Sequence, residues 1–143
     1  FAVVDYYRLN SSLGDWYHLG RIAEDYRLMA DLVLNHVSSS HAWMVQFRQG
    51  QVPGAGYIRT ANPQDDLSLV VRPRSGPLLN AVETSTGIAH VWCTFSHDQV
   101  DVDFSNPDLA AQGRLVANGS GAVVTVRSLV TVAPTTCESK SMT

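Results

Sequence analysis

Hydrophobic and polar positions divide the chain into three zones. In the first, the opening FAVVDYY reads as the tail of a strand or a strand-to-loop segment. "SSLGDW" then sets small polar residues and an acid ahead of a periodic run, a helix N-terminus signal. Trp16, Leu19, Ile22, Ala23 and Tyr26 recur at three- and four-residue spacing, which predicts an amphipathic helix over 15–27 with Trp16 and Tyr26 in the core. Leu28 to Leu34 is apolar except for Asp31, and its length suits a strand covered on both faces, as in a parallel sheet. Helix, tight connection and buried strand make half of a βαβ repeat.

The second zone runs from Ser38 to about Asp98. "QGQVPGAGY" and "VRPRSGPLL" are rich in glycine and proline, and helical periodicity is lost. "TSTGIAHVWCTF" alternates and carries a turn signal at Ser85-Thr86-Gly87, predicting a hairpin within 80–96 in which Trp92 packs. So long an irregular stretch exceeds an ordinary βα loop and predicts a small excursion after a barrel strand, where α/β folds place function. The third zone, beyond Pro107, is poor in aromatics and ends in a Ser/Thr-rich tail, with strand propensity at Thr125–Val132.

Composition narrows the classes. At 143 residues and 45% hydrophobic, the chain can build one domain with a real core or part of a larger one. A net charge of −3 with scattered basic residues argues against a nucleic-acid groove or an anionic membrane surface. No apolar run approaches the roughly 20 residues of a membrane span. Cys93 and Cys137 form no CxxC or zinc spacing, and one buried thiol plus one tail thiol favours a reducing, cytoplasmic setting. The five histidines show neither HxxxH nor HExxH spacing, so zinc is not expected. "DVDFSNPD", from Asp101 to Asp108, lacks the sixth-position glycine and distal glutamate of a calcium loop; Asp101 and Asp103 are expected to tie the excursion to its base.

The buried run stops on Asn35-His36. Functional loops of α/β barrels gather at the carboxyl ends of strands, so this polar pair would point into the barrel mouth. The alternative is that both residues cap the strand and satisfy backbone groups.

"DLVLNH", Asp31 to His36, resembles the first conserved region of the α-amylase family, glycoside hydrolase family 13, which ends the third barrel strand and precedes an irregular domain B. "LGDW", "LMADLVLNHVSSSHAW", "VVRPRSGPLL" and "HVWCTFSHDQVDVDFSNP" follow the order and spacing of its sucrose phosphorylase-like subfamily, and the "RPR" and "TFS" blocks look nearest to glucosylglycerate phosphorylases. The resemblance covers residues 1 to about 108.

It implies an α/β fold: a partial (β/α)8 TIM barrel around strands two and three with an inserted irregular domain B that holds the hairpin. The expected division is barrel over 1–37, domain B over 38–99, return to the barrel over 100–108, and an unmatched tail over 109–143, frameshifted or disordered. His36 is expected to donate to a hydroxyl of the bound glucosyl unit, and Phe1 to pack against its ring. Phe95 and Gln99 line the acceptor side. Arg72 and Arg74 sit in the acceptor loop, with Arg74 the candidate for phosphate, whose oxygen pairs suit a guanidinium fork. Asp31 and Asn35 hold neighbouring strand ends in place.

The implied reaction is retaining glucosyl transfer. One carboxylate attacks the anomeric carbon, a second about 5 Å away protonates the leaving group, and phosphate replaces water as acceptor. Inorganic phosphate is a co-substrate; no cofactor or metal is expected. The partners are a small α-glucoside and phosphate, not nucleic acid or membrane, and the oligomeric state stays open. The family's nucleophilic Asp and acid/base Glu have no counterpart here, because no "RLDA"-like block follows "NPD". A full barrel takes about 250 residues. The chain is therefore expected to be a fragment, incomplete at both ends and inactive alone. The alternatives are an α-glucoside hydrolase of the same family and a non-catalytic α/β sugar-binding module.

Overall fold

The computed structural model describes residues 2–72 and 74–112. Phe1, Cys137 and the expected strand at Thr125–Val132 lie outside them. Helix α1 spans Trp16–Asp25, close to its predicted limits. Asp15 starts it: the carboxylate accepts the backbone N–H of His18 at 3.1 Å and satisfies one orphan donor of the first turn. No side chain of α1 is buried. Trp16 (55% exposed), Ile22 (50%) and Tyr26 (69%) are not core residues, contrary to the sequence expectation. The apolar stripe is present, but no described element covers it.

The run after α1 also departs from expectation. Residues 28–34 form no strand ladder among the described residues, though Asp31 makes a single β-bridge; positions 29–31 are exposed, and Leu28 and residues 32–34 are half-buried. A buried parallel strand is defined by neighbours on both sides and cover on both faces. The described residues contain no parallel pair, only two two-stranded antiparallel sheets. The run is anchored instead by the Tyr6 hydroxyl, which donates to the Val33 carbonyl at 2.9 Å.

Strand β1 begins where the apolar run ends, at His36–Ser38, and all three residues are buried. Its partner is β4, Gln99–Asp101, with His36 opposite Asp101, Val37 opposite Val100 and Ser38 opposite Gln99. The chain between them thus leaves and returns at one place. Helix α2, Ala42–Gln49, follows β1; the sequence reading missed it. His41 caps its start by accepting the Trp43 N–H on Nδ1, and Gly50, at φ 68°, ends it in the left-handed region that glycine enters freely. The predicted hairpin forms as β2, Leu79–Thr84, and β3, Gly87–Trp92, joined by Ser85-Thr86. Its tip is fastened to α2 by the Ser85 N–H, which donates to the Arg48 carbonyl at 2.7 Å.

These elements share one core. Val37, Met44, Val91, Val100 and Cys93 are fully buried at its centre, with Tyr57, Ile58 and Leu109 around them. Trp43 meets Tyr57 edge-on at 5.1 Å between ring centroids. Cys93 is a free thiol, and burial pushes its pKa up to about 11, so it stays protonated and inert. Residues 107–112 are helical, entered through Asn106, whose side chain accepts the Asp108 N–H. Among the described residues no helix is long and apolar enough to cross a membrane.

Candidate functional site

The pairing of β1 with β4 assembles the cluster. His36 is 4% exposed. The Asn35 amide nitrogen lies 2.7 Å from its Nδ1, the Gln99 amide nitrogen lies 2.9 Å from its Nε2, and the Phe95 ring stands 5.3 Å away, tilted by 55°. Four predicted residues lying between positions 35 and 99, His36, Asn35, Phe95 and Gln99, therefore meet. They do not form an open mouth. Both imidazole nitrogens face amides, so a ligand hydroxyl reaches Nε2 only by displacing Gln99. Gln99 is itself anchored: its Oε1 accepts the Ser96 hydroxyl at 2.9 Å, and its N–H donates to the Ser96 carbonyl.

Two carboxylates that the sequence did not single out for the site brace this junction. Asp98 Oδ1 accepts the Ser39 hydroxyl at 2.6 Å, the Ser39 N–H at 3.0 Å and the Ser38 hydroxyl at 3.0 Å. These bonds, that from the Ser39 hydroxyl foremost, hold its carboxyl below the usual carboxylate range. Asp101 accepts the Thr94 hydroxyl, and the Trp92 indole N–H donates to Thr94 Oγ1 at 3.2 Å. Burial pushes the Asp101 carboxyl above the usual range, against the pull of those bonds. The Arg59 guanidinium stacks 4.4 Å from the Trp92 ring centre, on the face where the ring quadrupole is negative. Nothing local in "SSS" announces the Asp98 brace, which joins segments about sixty residues apart, whereas the Asp101–Thr94 brace spans only seven residues and Asp101 was expected to tie the excursion to its base.

The remaining predicted residues are not gathered here. Arg74 is exposed and Arg72 half-buried, and neither makes a hydrogen bond or ion pair among the described residues. Asp31 is exposed and holds no strand end by a side-chain hydrogen bond among the described residues. Asn35 does so through its backbone, whose carbonyl accepts the Val102 N–H at 3.1 Å just past β4. Phe1 falls outside the described residues. An open hollow of about 460 Å³ lies elsewhere, between α2 and the hairpin, where Phe47, Thr60, Thr84 and His90 line it. No group of three His, Cys, Asp or Glu side chains among the described residues is placed to hold a metal.

No family model matches the sequence. The structure, however, resembles segments of α-amylase-family enzymes, α/β proteins built on a TIM barrel. A sucrose 6F-phosphate phosphorylase from Thermoanaerobacter thermosaccharolyticum aligns over 87% of this chain and 29% of its own, with a TM-score of 0.72 at 19% identity. An α-amylase from H. orenii aligns over 86% and 26%, with a TM-score of 0.69 at 21% identity. Such identities speak for the fold alone.

The sequence relatives are narrower in kind. A glucosylglycerate phosphorylase from Allomeiothermus silvanus is 44% identical over 128 residues, 86% of this chain and 23% of the relative. One from Spirochaeta thermophila is 47% identical over 107 residues, 75% of this chain and 18% of the relative. A sucrose phosphorylase from Streptococcus mutans is 25% identical over 114 residues, 72% of this chain and 24% of the relative. The chain is thus homologous to a segment of the glucosylglycerate and sucrose phosphorylases, and it spans about a fifth to a quarter of the curated relatives named here. A match over 86% of the chain also corrects one expectation: it cannot stop near residue 108, because residues 109–143 are themselves about a quarter of the chain.

Proposed function

We propose that this chain is the part of a retaining, phosphate-dependent α-glucoside phosphorylase that holds portions of its glucosyl and acceptor subsites, with glucosylglycerate as the favoured donor. The observation that carries the reading is the convergence of His36, Phe95 and Gln99 in a chain whose strongest quoted identities are to glucosylglycerate phosphorylases. In this reading residues 1–37 belong to the barrel and 38–99 to domain B, the antiparallel junction of β1 and β4 being the neck between them. His36 donates to a glucosyl hydroxyl once Gln99 swings aside. Gln99 and Phe95 then face the acceptor. Arg74, exposed on its loop, is free to meet phosphate, the sole co-substrate, without a cofactor. The nucleophile and the acid/base carboxyl come from the portion of the relatives that this chain does not span, so the chain alone does not turn over. The free, buried Cys93 fits a reducing cytoplasmic setting.

The test has two arms. Purified chain incubated with glucosylglycerate or sucrose and phosphate should release no glucose 1-phosphate; clear turnover overturns the assignment of the missing carboxylates. Glucose titrated into isotope-labelled chain should shift the His36 and Phe95 resonances, and unmoved resonances at saturation overturn the subsite assignment. A second reading, a non-catalytic module, draws support from the covered state of the His36 ring; it expects that unmoved result.

A further inference from the structure

His36 and Gln99 are diagonal neighbours on one face of the β1–β4 pair, because Asp101, two residues beyond Gln99, is the register partner of His36. A long side chain spans that diagonal, and the Gln99 amide nitrogen reaches to 2.9 Å from Nε2 of the ring. The turn over 96–99 holds it there. The Gln99 N–H donates to the Ser96 carbonyl at 2.9 Å, and the Ser96 hydroxyl donates to Gln99 Oε1 at 2.9 Å. One residue thus grips Gln99 twice, once through its backbone and once through its side chain. An amide oxygen only accepts, so a donor on Oε1 turns the NH2 end toward the ring.

The rest of the turn is fixed. Asp98, inside it, accepts the Ser38 and Ser39 hydroxyls and the Ser39 N–H on one oxygen, which fastens the turn backbone to β1. Phe95, next to Ser96, lies against the His36 ring. The Gln99 side chain is left as the element that can swing, and Ser96, exposed to solvent, is its outer hold.

We propose that Ser96 is a positioning residue of the glucosyl subsite that acts through Gln99: its hydroxyl is a catch that keeps the Gln99 amide over Nε2 of His36, and a sugar hydroxyl enters when the catch lets go. This rests on the reading of His36 as a donor to a sugar hydroxyl, and it deepens that reading by naming what the ligand must displace. The catch works against binding. Part of the affinity of any sugar is spent on parting Gln99 from Ser96, so removing the Ser96 hydroxyl strengthens binding where loss of a merely structural contact would weaken it.

Ser96→Ala tests this in the full chain, with Ser96→Thr as the variant that restores a hydroxyl. Acylation of the His36 ring by diethyl pyrocarbonate and solvent exchange of the Gln99 side-chain amide protons should both run about two- to tenfold faster in the alanine variant, the range for one neutral hydrogen bond. Both should return to the parent rates in the threonine variant. Glucose, titrated while the His36 resonances are followed, should bind more tightly to the alanine variant by a similar factor. Adding Ser96→Ala to Gln99→Ala should change neither acylation nor glucose binding, because the first residue acts only through the second. Unchanged rates in folded Ser96→Ala, a threonine variant as reactive as the alanine one, weaker glucose binding, or additive effects in the double variant each overturn the proposal. If the alanine variant fails to fold, the parent chain decides: Gln99 side-chain amide protons that exchange as fast as those of exposed Gln64 overturn it. A glucose response that Ser96→Ala leaves unaltered sinks only this inference; faster acylation and exchange without any glucose response at His36 sink the phosphorylase reading and leave the catch intact.

Discussion

Gln99 closes His36: its amide nitrogen lies 2.9 Å from Nε2 of the ring, so the first residue of β4 occupies the atom that a ligand would use on β1. Gln99→Ala should open that atom. Diethyl pyrocarbonate acylates accessible imidazoles, and modification of His36 in the variant, followed by peptide mass spectrometry, should run at least several-fold faster than in the parent chain. Equal rates would show that another group covers the ring.

Asp98 ties the turn after β1 to the turn before β4 through three hydrogen bonds on one oxygen. Asp98→Ala should cost about 1–3 kcal/mol, the range for bonds to a charged acceptor. The sign of the pH dependence follows from a folded pKa held below the unfolded one. The contribution is whole above the unfolded value of about 4 and is lost as pH falls through the folded value. Urea titrations between pH 7 and pH 3 should show the parent chain losing its advantage over the variant at the acid end.

His41 caps α2 with a neutral nitrogen, and burial holds its pKa below the usual histidine range against the attraction of Asp5. A depressed folded pKa means that the cap's stability is present above the unfolded value of about 6.5 and is lost as pH falls toward the folded one. Protonation removes the acceptor and places a positive charge at the positive end of the helix dipole. His41→Ala should cost about 1 kcal/mol at pH 7.5. His41→Asn keeps an acceptor that does not titrate, so the melting temperature of that variant should fall less between pH 7 and pH 5.

Two glycines are required for different reasons. A Cβ on Gly54 would lie 2.3 Å from the Trp43 carbonyl oxygen, a clash with backbone, so Gly54→Ala should cost about 1–3 kcal/mol. Gly87 has open space around it but sits at φ 126°, so Gly87→Ala should cost about 1–2 kcal/mol through conformation alone. Gly76 has neither constraint, and Gly76→Ala should fall within about 0.5 kcal/mol of the parent in denaturant melts.

What the sequence revealed was local. The acid before Trp16 and the Ser85-Thr86-Gly87 turn each carry their structure within a few residues, and α1 and the hairpin form where they were read. Helix α2 escaped notice because a histidine, an uncommon cap, starts it and because Pro53 and the nearby glycines dominate the stretch. The Leu28–Leu34 run misled in the opposite way: an apolar run interrupted only by Asp31 promises burial only where other elements supply the cover. The meeting of His36 with Phe95 and Gln99 has no local signature at all, and family resemblance, not periodicity, brought those residues forward together.

Because β1 and β4 hold the two ends of the intervening sixty residues side by side, the enclosed stretch is a loop whose mouth is two strands wide. Met44, Tyr57 and Cys93 of that loop share a core with Val37 and Val100 of its mouth, so a foreign segment spliced there would have to bring its own filling for the same interior.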